Sequence, residues 1–192
     1  MKGITNINQL DFNSNYSYAD YLTWQFKERV ELIKGKIFRM SPAPNRYHQQ
    51  VLGNINRIVD AFFINNTCKI YFAPFDVRLS LKKGKAIITV VQPDLCVICD
   101  QSKLDDAGCI GAPDLIVEVL SPGNTKKEMK IKFDLYQENG VKEYWIVDPH
   151  RQCILVYILI NNIYTGLPPV TENEKLKSKT FNGLVVDLNK VF

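Results

Sequence analysis

Acidic side chains set into apolar runs are the positions in this chain with the clearest capacity for chemistry. Residues 92–149 contain two Pro-Asp dipeptides, and each opens such a run: Asp94-Leu-Cys-Val-Ile-Cys and Asp114-Leu-Ile-Val-Glu-Val-Leu. Glu118 stands inside the second run, where a carboxylate should not be buried without a partner. Asp94, at the mouth of the preceding run, is its nearest obvious acidic neighbour. Two like charges held together call for a bridging cation. A carboxylate pair suits Mg²⁺, which keeps several waters and takes phosphate oxygens, with Mn²⁺ as an alternative. Along the second run Asp114, Ile116 and Glu118 share one face.

Lys132 supplies the opposite charge. It lies amid the stripe Ile131, Leu135 and Tyr136 of a predicted helix and can lean back over the sheet toward Glu118. Carboxylates to hold a metal, and a lysine to orient water or hold a phosphate, are what metal-assisted phosphodiester hydrolysis requires. The plain alternative is a buried Glu118–Lys132 ion pair, and residue types alone weigh the two equally. Glu31 is either a solvated strand residue or a third acidic group of the site. His48 lies near a helix N-terminus that could receive a phosphate; by itself it reads more readily as a surface or capping histidine.

The elements that must position these groups are legible from periodicity. The two Pro-Asp runs read as strands covered on both faces, with proline at the strand start where its missing N–H costs nothing. Ser17 and Asp20 form a capping-box pattern before a short helix. Residues 29–40 read as a hairpin turning at Lys34-Gly35. Residues 45–65 read as a helix with Val51, Leu52, Ile55, Ile58, Val59 and Phe62 on one stripe. Strands are expected over 68–72, 77–81, 87–91, 143–148 and 153–160, with a basic turn at 82–85. A second helix is expected over 126–139, capped by Asn124 or Thr125 and stopped by Gly140. Alternating helices and strands, with hairpins at either end, give an α/β fold around a mixed sheet.

Composition sets bounds. A chain of 192 residues, 46% hydrophobic, fits one domain with a sizeable core, and residues 1–14 read as a loose polar arm. The formal charge of +4 permits nucleic-acid binding without establishing it. Five cysteines are an odd count without framework spacing, Cys96-x-x-Cys99 inside a strand reads as buried thiols and not a metal knuckle, and the setting is expected to be reducing and cytoplasmic. No signal peptide or membrane-length apolar run is visible.

Several strings together resemble the Uma-type family of restriction endonucleases, a former domain of unknown function within the PD-(D/E)XK nuclease superfamily. They are Gln92-Pro-Asp-Leu, Pro113-Asp-Leu-Ile-Val-Glu-Val-Leu-Ser-Pro, Lys132-x-x-x-Tyr136 and Gly140-Val-x-Glu-Tyr-Trp-x-Val-Asp-Pro149. Glu31-Leu-Ile-x-Gly35, Met40-Ser-Pro and His48 match as well, so the resemblance covers most of residues 17–160. It implies a restriction-endonuclease-like core, a central mixed β-sheet flanked by helices with the site at one sheet end. On that match Asp94 takes the Asp role and Glu118 the D/E role. The superfamily's lysine two positions on is here Leu120; this family lacks it in the same way, and Lys132 is the candidate replacement. The resemblance implies a Mg²⁺-dependent DNA endonuclease. Asp94 and Glu118 would be metal ligands, Lys132 and Glu31 would complete the catalytic group, and Asp114 and His48 would lie behind it or against phosphate. The rival is an inactive nucleic-acid- or protein-binding module that kept the fold. Cutting both strands of a duplex would call for a homodimer, with Ile158, Leu159, Ile160, Ile163 and Tyr164 as candidate contacts.

Overall fold

A computed structural model describes residues 3–40, 44–79, 86–123 and 125–192. The basic turn at 82–85 and Asn124 lie outside the described residues. In chain order the elements are α1 (Tyr18–Tyr21), β1 (Val30–Ile33), β2 (Lys36–Arg39), α2 (Arg46–Phe63), β3 (Lys69–Phe72), β4 (Val77–Arg78), β5 (Val90–Val91) and β6 (Leu95–Ile98). There follow β7 (Leu104–Asp105), β8 (Gly108–Ile110), β9 (Leu115–Val119), α3 (Lys126–Asn139), β10 (Glu143–Asp148), β11 (Cys153–Ile160), β12 (Ile163–Gly166), β13 (Val170–Thr171), β14 (Lys175–Lys177) and β15 (Val185–Asp187).

Local signals account for the long elements. Asn45 caps α2 by accepting from the His48 N–H. Thr125 and Glu128 form a reciprocal capping box on α3, and Gly140 ends that helix at φ 84°. Ser17 and Asp20 form the same box on α1. The β1–β2 turn places Lys34 and Gly35 at φ 50° and 81°, the left-handed pair that a tight hairpin demands.

The central sheet has the order β12-β11-β10-β9-β6-β3, with β13 added on β11. β9 and β10 run parallel, joined through α3, while β6 pairs antiparallel with β9. One face carries Leu95, Val97, Leu115, Val117, Trp145 and Val147 against α2 and the C-terminal segment. The other carries Cys96, Ile98, Ile116, Tyr144 and Ile146 against α3 and a second sheet of order β2-β1-β5-β4-β8-β7. That second sheet was not expected. β1, β2, β4 and β5 fall within the expected hairpin and strands; what local periodicity does not show is the long-range pairing of β1 with β5 and of β4 with β8, and β7 and β8, two and three residues long, are too short for a period to show.

Three further readings need correction. Residues 1–14 do not form a loose arm where they are described: Asn6 caps a 3₁₀ turn, and Ile7 and Leu10 are buried with Val30 and Ile37 beside Tyr16 and Trp24. The cysteines are not all thiols: Cys68 and Cys99 form a disulfide, whereas Cys96 and Cys109 are free and buried. Of the candidate dimer contacts, Ile160 and Ile163 are exposed at the β11–β12 hairpin, but Tyr164 is buried. No helix among the described residues is long and apolar enough to cross a membrane.

Glu143 is fully buried, and among the described residues it forms no ion pair. Its Oε1 accepts from Trp145 Nε1 at 2.7 Å. Its Oε2 accepts from Ser178 Oγ at 2.8 Å and from the N–H groups of Lys179 and Thr180 at 3.1 and 2.7 Å. The carboxylate thus ties the segment before β15 to the central sheet. Glu143→Gln turns one acceptor into a donor facing donors, and thermal unfolding should register a loss of roughly 1–3 kcal/mol.

Candidate active site

The pleat and the pairing register bring the two key carboxylates together. In the β6–β9 pair Leu95 lies opposite Val117, so Asp94, one residue before β6, falls opposite Glu118. Leu95 and Val117 pack toward α2. By alternation, Asp94 and Glu118 therefore point to the other face, under α3 and the second sheet. α3 returns across that face and carries Lys132 and Tyr136, one turn apart, onto Glu118.

The Lys132 ammonium lies 2.8 Å from Glu118 Oε1 and 3.0 Å from Glu31 Oε1. The Tyr136 hydroxyl donates to Glu118 Oε1 at 2.6 Å. Glu31, on β1, also accepts from the Gln92 N–H at 3.0 Å. Asp94 Oδ2 accepts from the Val119 N–H at 2.8 Å and stands 3.3 Å from His48 Nε2. His48 Nε2 is also 3.0 Å from the Val119 carbonyl. Both neighbours of Nε2 accept, so the proton belongs there. The structure thus brings Asp94, Glu118, Lys132 and Glu31 into one cluster, with His48 behind Asp94. The histidine is only 4% exposed, so it backs the site and is not open to a phosphate.

Asp114 does not join them. It stands one residue before β9, at the end opposite Glu118, four residues or about 13 Å along the chain. There it accepts from the Cys99 N–H at 2.8 Å and pairs with Lys142 Nζ at 2.6 Å. The shared face was read correctly, but the antiparallel neighbour strand puts Asp94 at the far end from Asp114. Two participants were not given roles from residue types. Tyr136 counted as part of an apolar stripe, although its i, i+4 spacing from Lys132 is a usable signal. The Gln92 side chain links the cluster outward, accepting from Arg29 Nη2 at 3.0 Å and donating to Asp76 Oδ1 at 2.8 Å.

Electrostatics reflect this crowding. Burial pushes the Glu118 carboxyl up to about 7; Lys132 opposes the shift, and Asp94 and Glu31 add to it. Burial works against the Lys132 charge, but Glu118 and Glu31 outweigh it and raise the ammonium above its ordinary range. Burial also works against a charged His48, and its contact with Asp94 overcomes this to raise the imidazole. Burial, with Glu118 next, raises the Tyr136 phenol well above its usual value.

The donor set fits Mg²⁺. Three carboxylates and one ammonium leave a formal −2 (three minus one) in a cleft with apolar walls. Among the described residues no side chain hydrogen-bonds to Asp94 Oδ1 or Glu118 Oε2, so each carboxylate keeps a hard oxygen open. Among the described residues, no group of three or more His, Cys, Asp or Glu is arranged to hold a metal by itself. An ion here would take Asp94 and Glu118 and fill its shell with water or phosphate oxygens.

Comparison with known proteins agrees with this architecture. A solved structure described as "a putative nuclease belonging to DUF820 from Anabaena variabilis ATCC 29413" superposes with a TM-score of 0.71 at 16% identity, covering 92% of this chain and 97% of that one. At that identity the likeness establishes the nuclease-like fold alone. No curated protein matches the chain. The family model Uma2, described as "Putative restriction endonuclease", matches residues 18–189. That match spans every residue of the cluster, and this chain belongs to the Uma2 family.

Proposed function

We propose that the chain is a Mg²⁺-dependent DNA endonuclease that hydrolyses phosphodiester bonds, with Mn²⁺ able to replace Mg²⁺. The observation that carries the reading is the excess of acidic groups: Asp94 and Glu118 lie opposite one another across the β6–β9 pair, among the described residues no side chain hydrogen-bonds to Asp94 Oδ1 or Glu118 Oε2, and one lysine serves both Glu118 and Glu31. When bound, the metal would activate water and neutralise the scissile phosphate. The protein's own groups do the rest. His48 and the Val119 N–H fix the Asp94 carboxylate, and Tyr136 fixes that of Glu118. Lys132 has three N–H donors and uses two on carboxylates, which leaves one to orient water or take charge from the phosphate.

One observation favours the rival reading of an inactive binding module. The Lys132–Glu118 contact is a complete ion pair and needs no metal for its geometry. Plasmid incubated with Mg²⁺ or Mn²⁺, against an EDTA control, separates the two. Nicking or linearisation only with metal is expected. Intact plasmid, together with no Mg²⁺ uptake by calorimetry, would leave the binding module.

A further inference from the structure

The cleft above the carboxylates has two sides of different chemistry. It is an open cleft over the carboxylates, spanning about 950 Å³ when the open solvent at its mouth is counted. Its floor is recessed: the side chains of Glu118 and Lys132 are 13% and 21% exposed. Its walls carry Ile33, Phe38, Met40, Leu120, Met129 and Ile131. Arg29 and Arg39, both exposed, also line it. Arg29 holds Gln92, and Arg39 lies over the Phe12 ring, 5.0 Å from its centroid. Glu128 lines it too, but its carboxylate caps the Thr125 N–H at 2.8 Å.

A base-paired duplex is a poor match for such a cleft. It presents phosphates on a broad convex surface, and its bases offer only their edges, in the grooves. An unpaired nucleotide is smaller and carries both a phosphate for the floor and the arginines and a flat π-face for an apolar wall. We propose that this cleft takes an unstacked nucleotide of single-stranded DNA, its phosphate toward Lys132 and the carboxylates and its base against Phe38 and its apolar neighbours. This rests on the nuclease reading above for the orientation of the phosphate.

The test is fluorescence anisotropy of the wild-type protein with a labelled oligodeoxynucleotide, free and annealed to its complement. It is run with Ca²⁺ in place of Mg²⁺, because without a cation the floor carries a formal −2 and repels a phosphate. The single strand should bind about tenfold or more tightly than the duplex, the scale of one stacked base. Phe38→Leu should remove roughly fivefold or more of the single-strand affinity and leave duplex binding unchanged. If Phe38→Leu lowers the melting temperature sharply, Met129→Ser takes its place. Equal affinities, a preference for duplex, or no binding to either would overturn the proposal. Duplex cleavage without single-strand preference would overturn it and leave the nuclease reading standing. Single-strand preference without metal-dependent cleavage would support this cleft assignment and sink the nuclease reading.

Discussion

Lys132→Met should destabilise the metal-free protein by roughly 3–5 kcal/mol at pH 8, the largest stability effect expected from a single substitution at the site. Methionine keeps the length and apolar stem of the side chain, so packing on α3 is little changed. What disappears is the one ammonium shared by Glu118 and Glu31, at 2.8 and 3.0 Å. Two buried carboxylates then face each other, with Asp94 as a third negative neighbour. The loss should depend on pH with a defined sign. In the folded wild-type protein Glu118 is raised from 4.5 to about 7, so over that interval the folded chain binds more protons than the unfolded one. Metal-free wild-type protein therefore loses stability from this group as pH rises from 4.5 through 7. Removing the lysine pushes Glu118 further up. The variant should be worst above pH 7 and recover in part at pH 5, where a proton replaces the lost cation. Thermal unfolding in EDTA at both pH values checks this. A near-wild-type melting temperature at pH 8 would mean that water already screens these carboxylates.

Asp94→Asn and Glu118→Gln should each reduce metal-dependent cleavage by about a hundredfold or more, the scale of removing one electrostatic contact to the reacting group. Both keep shape and remove one charge, and Mg²⁺ affinity by calorimetry should fall with activity. Stability separates this reading from a purely structural one. In Glu118→Gln the lysine keeps Glu31, so no unpaired ammonium is created and a crowded carboxylate is lost. The melting temperature of the metal-free variant should stay close to wild type. A large drop in melting temperature, with Mg²⁺ binding unchanged, would instead make Glu118 a structural partner of Lys132 and nothing more.

Much of this molecule is written in short-range sequence. The stripe Val51, Ile55, Val59 defines α2, the Thr125–Glu128 box starts α3, Gly140 stops it, and the Lys34-Gly35 pair turns the first hairpin. Each rests on neighbours within a few residues, where propensity and hydrogen-bond geometry act directly. The oddity of a carboxylate at Glu118 is of the same kind, because its apolar flanks are adjacent in the chain. The nearness of Asp94 to Glu118 also follows once the two Pro-Asp strands, β6 and β9, pair antiparallel.

Other features were decided only by packing between distant segments. Glu31 reaches the site because β1, in the second sheet, is laid over the central one, where it meets Gln92 from 61 residues away. That sheet is assembled by pairing β1 with β5 and β4 with β8, segments far apart in the chain. The residue types at Glu118 and Lys132 suit a metal site and an ion pair equally; the fold supplies the ion pair, and among the described residues no side chain hydrogen-bonds to the second oxygen of Asp94 or Glu118. Asp114 shares a strand face with Glu118, yet strand direction sends it to the opposite end, against Cys99 and Lys142. The Cys68–Cys99 bond likewise depends on β3 lying beside β6, which no cysteine spacing reveals. The physical reason is common to all four. Sequence patterns report which face a side chain occupies, whereas its partner depends on register and layering, which are set by burial summed over the whole core.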